Sequence, residues 1–220
     1  MSPRRARAVA SRLGDDPATA LREHLIDTAE RLLAERHVSA ITTRDIARAA
    51  EVSDGVLYNY FADKNDLLLS ALVRRYGGVL ARFGAGLPRP GTATVEENLH
   101  TYARALLDLH AHALPIAAGL LTELPLLHRF IDAIHREPFG PHLILEPIAD
   151  YLTGEERLGR LAAADVEAAT TLLFGATIML ALSILMGRSP EDVAQQLPSI
   201  VRTLLRGLGP SPAGQPGAGA

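Results

Sequence analysis

The sequence predicts an all-α protein, with a small three-helix unit at the N-terminus and a larger helical body behind it, and three observations carry that reading. Apolar residues recur at intervals of three and four through most of the chain, the spacing of one helix face. The composition is 48% hydrophobic but only 5% aromatic, rich in Ala and Leu and poor in the β-branched runs that mark strands. Proline- and glycine-containing breaks divide the 220 residues into helix-length pieces, and nothing resembles a strand ladder.

Composition also limits function. With no Cys, disulfides and thiolate chemistry are excluded. The net charge is -3, split unevenly: residues 1–75 hold 12 Arg/Lys against 11 Asp/Glu, and residues 76–220 hold 10 against 14. Affinity for a nucleic acid therefore has to come from placed contacts in a symmetric pair, not from a broadly basic face. The first residues carry Arg4, Arg5, Arg7 and Arg12 but no apolar core of signal-peptide length, so a cytoplasmic location is expected.

Residues 1–18 are expected to form a flexible basic arm. A helix follows from near Thr19, with Leu21, Leu25, Ala29, Leu32 and Leu33 inward and Arg22, Glu23, Glu30, Arg31 and Glu35 facing water. Three closely spaced helical pieces come next, at 42–50, 53–60 and 63–87, the last containing Gly77-Gly78 as a candidate hinge. The run Leu87-Pro88-Arg89-Pro90-Gly91 ends them. Further helices are expected at 93–112, 115–137, 140–158, 163–187 and 190–207, separated by Pro115, Pro138, Gly154 and Gly187-Arg188-Ser189-Pro190. The stretch 209–220 is dominated by Gly, Pro and Ala and is expected to be a disordered tail. This divides the chain into a reading unit at 19–68 and a body at 69–208.

The chemistry is concentrated in the first two pieces and the start of the third. Thr42 caps a short helix with Asp45 three residues on, and Ile46 and Ala50 share its inner face. A turn at Glu51-Val52 leads to Ser53, a good cap for Asp54-Gly55-Val56-Leu57-Tyr58-Asn59-Tyr60. At 100° per residue, Ser53, Leu57 and Phe61 form the inward stripe, leaving Gly55 and Asn59 outward with Val56 and Tyr58 beside them. Gly55 costs about 1 kcal/mol inside a helix, best explained by something that approaches the backbone closely. Tyr58 and Tyr60 present hydroxyl donors suited to phosphate oxygens, and Asn59 presents a bidentate edge to a base, adenine most naturally. Asp63 and Asp66 cap the next helix beside Lys64, the one lysine in the chain, making a second phosphate cradle.

The run from Ile46-Ala47 through Ala50-Glu51-Val52-Ser53-Asp54-Gly55-Val56-Leu57-Tyr58-Asn59-Tyr60-Phe61 to Lys64 and Leu67-Leu68 resembles the signature of the tetracycline-repressor (TetR) family. The resemblance implies a helix-turn-helix DNA-binding head and a helical ligand-binding and dimerisation body. It implies double-stranded DNA, a near-palindromic operator, as a partner. The contact positions would be Thr42, Thr43, Arg44, Ser53, Asp54, Gly55, Val56, Tyr58, Asn59, Tyr60 and Lys64, with Thr43, Tyr58, Tyr60 and Lys64 on phosphates. Two residues depart from the family pattern. Glu51 stands where a turn glycine is common, which predicts either a left-handed Glu at about 1 kcal/mol or a turn of another shape. Asp54 suits a helix N-terminus but repels phosphate.

The same resemblance implies a homodimer formed by the last two helices, and the residues agree. Leu172, Ile178, Leu182 and Leu185 belong to a helix with almost no wet face, and Val193, Leu197, Val201 and Leu204 to an amphipathic one beside it. Ala168 to Gly187 holds no charged residue over about one bilayer length. Thr170, Thr171, Thr177 and Ser183, with Asp165 and Glu167 at one boundary, favour a buried interface helix over a membrane span. For a small-molecule effector, mainly apolar, the candidate pocket residues are His100, Tyr102, Leu106, Leu120, Leu124, His128, His135 and Phe174. Six of the eight histidines lie in this body, but no carboxylate or thiolate stands at metal-ligand spacing, so neither a metal nor another cofactor is expected. Two other classes remain compatible with the sequence: a helical enzyme using the body histidines, for which no nucleophile–base spacing is present, and a small-molecule-binding protein whose DNA head has decayed.

Overall fold

A computed structural model describes residues 16–136, 140, 142–162 and 165–207. Most of the expected arm, the expected tail and Pro138 lie outside these residues. Helices account for nearly all of the secondary structure: α1 (Pro17–Glu35), α2 (Thr43–Ala49), α3 (Asp54–Leu57), α4 (Lys64–Gly84), α5 (Val95–Gly119), α6 (Leu124–Ile134), α7 (His142–Arg157), α8 (Val166–Leu185), α9 (Pro190–Ala194) and α10 (Leu197–Arg206). A 3₁₀ turn at Val38–Ala40 joins α1 to α2, and there is no strand among the described residues.

The chain forms two compact units. Of the described residues, the first holds 16–81 with 115–136 and 140, and the second holds 82–114, 142–162 and 165–207. The first unit thus takes in more chain than the reading unit at 19–68. Its core is built from the predicted inner faces: Leu21, Leu25 and Ala29 of α1, Ile46 and Ala50 of α2 and its cap, Leu57 and Phe61, and Leu67 and Leu68 of α4 are all buried. Polar ties lock the helices together. Arg74 of α4 reaches Glu23, Asp27 and Glu30 at 3.0, 2.5 and 2.8 Å, carboxylates that recur along one face of α1. The hydrogen bonds that Arg74 donates to Glu30 above all raise the guanidinium pKa further. The His24 imidazole meets the Ala50 carbonyl at 3.2 Å, and Lys64 Nζ donates to the Ile41 carbonyl at 2.9 Å. Within the same unit, Phe130 of α6 stands edge-on to Tyr76 and Arg129 bonds Asp66 at 3.1 Å.

The second unit is organised around a pinned loop. Tyr102 donates to the Pro88 and Pro147 carbonyls, Asn98 donates to the Thr92 carbonyl, and the fully buried Glu155 accepts from Gly91 N–H. Gly154, expected to break a helix, lies inside α7, where a Cβ would collide with the Pro90 ring. Pro115 likewise fails to end its helix: α5 runs through it to Gly119, although a proline inside a helix costs about 3 kcal/mol. Burial outweighs that cost, because Leu106, Leu109, Ile116 and Leu120 on either side of it are all buried. The helix expected over 190–207 is two, α9 and α10, which restarts with Pro198 in its first turn. α4 passes unbroken through Gly77-Gly78.

Glu51 takes the left-handed conformation, with φ of +58°. The chain needs that reversal, because Val52 N–H bonds back to the Ala47 carbonyl at 2.9 Å and delivers the buried Val52 into the core. Replacing Glu51 with Gly should therefore raise stability by about 1 kcal/mol, measured as a higher urea midpoint at unchanged slope.

Candidate nucleic-acid interface

α2 begins on the predicted capping box, with Asp45 N–H bonded to the Thr42 hydroxyl and the Asp45 carboxylate accepting from Thr42 N–H at 3.0 Å. The Thr42 hydroxyl, which donates to the Asp45 carboxylate at 2.6 Å, and after it Thr42 N–H hold the Asp45 carboxyl below its ordinary pKa. Arg36 and Arg48 approach the same carboxylate. α3 is shorter than the 53–60 expected. It is helical only over Asp54–Leu57 and then tightens into turns, with Asn59 N–H on the Val56 carbonyl and Tyr60 N–H on the Leu57 carbonyl. Ser53 occupies the cap position, but its side chain makes no capping bond.

The outward face is nevertheless close to the one expected. Asp54, Gly55, Tyr58 and Asn59 are exposed, Tyr58 at 58%, while Ser53 and Tyr60 are half-buried. On α2, Thr42 and Arg44 are exposed and Thr43 is half-buried, so both helices contribute to one polar surface. Neither tyrosine hydroxyl, Tyr58 or Tyr60, nor the Asn59 amide is engaged within the chain among the described residues. Arg44 reaches Asp54 at 3.7 Å, which offsets an acid that would otherwise face phosphate bare. Two of the expected contact residues sit elsewhere. Val56 is buried at 7%, because a one-turn helix held against α2 buries adjacent positions, Val56 and Leu57 together. Lys64 is half-buried, and its bond to the Ile41 carbonyl makes it a strut between α4 and the start of α2. Asp63 caps α4 as expected, accepting from Asp66 N–H at 2.7 Å.

The family model of bacterial regulatory proteins of the tetR family matches residues 25–71, which span α1 to the first turns of α4. Over those residues the chain is similar to the tetR family of regulators. The HTH-type transcriptional regulator AcrR of Shigella flexneri is 44% identical over 46 residues, 21% of this chain and 21% of that protein. The HTH-type transcriptional repressor DhaR of Mycobacterium sp. (strain GP1) is 34% identical over 80 residues, 36% of each. The chain therefore matches between about a fifth and a third of the length of these curated relatives. The whole fold has counterparts among solved structures. A TetR-family regulator from Mesorhizobium loti superposes with a TM-score of 0.68 at 17% identity, over 87% of this chain and 98% of that one. The regulator FadR from Bacillus subtilis, solved in complex with stearoyl-CoA, superposes with a TM-score of 0.59 at 24% identity, over 85% and 99%. The family match in sequence is thus confined to the head, and the similarity in fold extends over most of the chain.

The structure distributes the candidate pocket residues widely. Leu120, Leu124, His128 and His135 belong to the first unit, where Leu120 is buried but Leu124, His128 and His135 are exposed. His100, Tyr102, Leu106 and Phe174 belong to the second unit, with Tyr102 and Leu106 buried. The residue at the centre of this second set is one that sequence reasoning passed over. His110, one turn beyond Leu106, is 4% exposed and stands edge-on to Phe174 with ring centroids 4.7 Å apart. Its spacing from Tyr102 and Leu106, two steps of four, is the signal that places it on the inner stripe of α5.

The candidate interface residues also separate. Leu172, Leu182 and Leu185 of α8 are exposed, Ile178 and Leu204 are half-buried, and Val193, Leu197 and Val201 are fully buried within the chain itself. The reason is that α9 and α10 spend their apolar stripes on α8. Exposed Met179 and Met186, unremarked in the sequence, extend the apolar face of α8. An open groove of about 740 Å³ lies between α8 and α10, lined by Leu172, Ala176, Ile200, Thr203 and Leu204 among others.

Two outcomes follow. A Cβ on Gly55 would meet nothing within 4 Å, so Gly55→Ala should fold at least as stably as wild type while losing about tenfold or more in DNA affinity, read by thermal melting beside a gel-shift titration. Burial pushes the His110 imidazole down to about 4, below its unfolded value, so the unfolded chain binds the extra proton. The stability conferred by the neutral ring is complete above about pH 6.5 and is lost as pH falls toward 4, roughly 3 kcal/mol in all. Urea titrations across that range should show this slope in wild type and its absence in His110→Leu.

Proposed function

We propose that the chain is a homodimeric, ligand-responsive transcriptional regulator that binds a near-palindromic operator through α2 and α3. In this reading 19–68 is the reading head and 69–208 the body that pairs and binds the effector. The observation that carries it is the exposed and unengaged face of Gly55, Tyr58 and Asn59 on a head that matches the tetR family over residues 25–71. Tyr58 and Tyr60 donate to phosphate oxygens and fix the register, while Asn59 reads a base edge in the major groove. Thr42, Thr43, Arg44, Ser53 and Asp54 border this face, and Lys64 supports it from behind.

Repression is the favoured sign of action, supported by the similarity to DhaR, a transcriptional repressor. A small, mainly apolar effector releases the protein from DNA, a reading supported by the likeness to FadR, which was solved with stearoyl-CoA. Pairing through α8 and α10 is supported by the apolar residues that the chain leaves exposed there, Leu172 at 63%, Met179 at 60% and Leu185 at 43%. The same pairing accounts for the apolar length of α8 without a membrane. A protein that reads DNA in this way acts in the cytoplasm.

Selection from a randomised duplex library, followed by gel-shift titration, tests the reading. The selected site should show two half-sites about 34 Å apart, and Tyr58→Ala and Asn59→Ala should each weaken binding about tenfold or more. Failure to select any sequence, or wild-type affinity in both variants, would overturn the assignment.

A further inference from the structure

The second unit contains a buried histidine for which its own packing has no use. Among the described residues, both His110 nitrogens are closed off from solvent and have no hydrogen-bond partner, and the imidazole stands edge-on to Phe174 at 86°. Thr170, one turn before Phe174 on the same face of α8, buries a hydroxyl that is equally unpartnered. Elsewhere in the unit Tyr151 Oη and Glu155 Oε2 also lack a hydrogen bond, Glu155 facing Arg160 at 3.2 Å, but Tyr102 and Thr177 are satisfied. Tyr102 donates to the Pro88 and Pro147 carbonyls, and Thr177 donates to the carbonyls of Leu173 and Phe174. Buried polar groups in native proteins are almost always paired, so two unpaired ones beside a single aromatic ring mark a place built for something else.

We propose that His110 and Thr170 form the polar anchor of the effector site, and that the effector is a neutral, mainly apolar molecule bearing a hydroxyl group, a phenol above all. The proposal rests on the reading of the protein as a ligand-responsive regulator and supplies the chemistry that reading lacks. Burial keeps the imidazole neutral at physiological pH, so one nitrogen donates and the other accepts. A hydroxyl can satisfy either. A carboxylate can only accept, and it would demand a charged ring in an apolar setting; a hydrocarbon leaves both nitrogens unpaired. Leu106 and Tyr102, on the same stripe of α5, and Phe174 supply apolar and aromatic walls suited to a ring. Because the nitrogens are closed off, a ligand that reaches them has to part Phe174 from His110, and so α5 from α8.

Calorimetric titration of the full chain at pH 7.5 with 4-butylphenol, butylbenzene and 4-butylbenzoate tests this. Wild type should bind the phenol about tenfold more tightly than either analogue, the value of one hydrogen bond of about 1.4 kcal/mol. His110→Leu should melt at or above the wild-type temperature and bind phenol and hydrocarbon alike, and His110→Gln, which keeps a donor and an acceptor, should restore part of the preference. Equal binding of the three compounds by wild type, binding of none, a preference that survives in His110→Leu, or a His110→Leu protein that melts several degrees lower would each overturn the proposal. Operator selection by the wild-type chain separates the two readings: selected DNA without a phenol preference removes this inference alone, and a phenol preference without selected DNA removes the regulator reading and leaves the site.

Discussion

α3 has four helical residues, too few to hold a helix in water by hydrogen bonding, since the first turn of a helix is itself unfavourable. Its shape is imposed from outside. Val52, Val56, Leu57 and Phe61 are all at least nine-tenths buried, and they fix the short segment from before, within and after it. Everything the candidate interface presents depends on that burial: the outward directions of Gly55, Tyr58 and Asn59 are what remains once the apolar residues have been placed. The strained Glu51 is tolerated for the same reason, because the turn it makes is what lets Val52 reach the core.

The second unit follows the opposite logic, in which polar groups do the fixing. The 88–94 loop is held by the Tyr102 hydroxyl, the Asn98 amide and the Glu155 carboxylate, all buried and all bonded to backbone. Such a loop stays in one arrangement because every alternative leaves a buried polar group unmade. His110 is distinct in that both of its polar atoms are buried without a hydrogen bond, whereas Glu155, one oxygen of which is also without one, binds Gly91 N–H through the other and lies 3.2 Å from Arg160.

Much of this was legible in the sequence wherever the determining forces are local. The caps of α2 and α4 are written as Thr42 and Asp63, each of which needs only a residue three positions away. The inner stripe of the head could be read from periodicity alone. What could not be read depends on distant partners. Pro115 and Gly154 looked like breaks because local propensity disfavours them in helices, yet burial carries α5 past the first and the Pro90 ring explains the second. Val193, Leu197 and Val201 are apolar at helical spacing, but spacing does not say whether a stripe faces its own chain or another. Val56 escaped because α3 departs from 100° per residue after one turn, and His110 because six body histidines look alike until burial distinguishes one.

The bond from Lys64 to the Ile41 carbonyl has a mechanical consequence. It couples the first residue of α4 to the residue just ahead of the Thr42 cap, so the two ends it joins move as one piece. α4 is 21 residues long, or about 32 Å at 1.5 Å per residue. A tilt of about 5° around its far end would sweep the Lys64 end through nearly 3 Å, close to the rise of one base pair. With the strut in place, that displacement carries the start of α2 with it, so a small rotation reaches the candidate interface undiluted by bending of the turn.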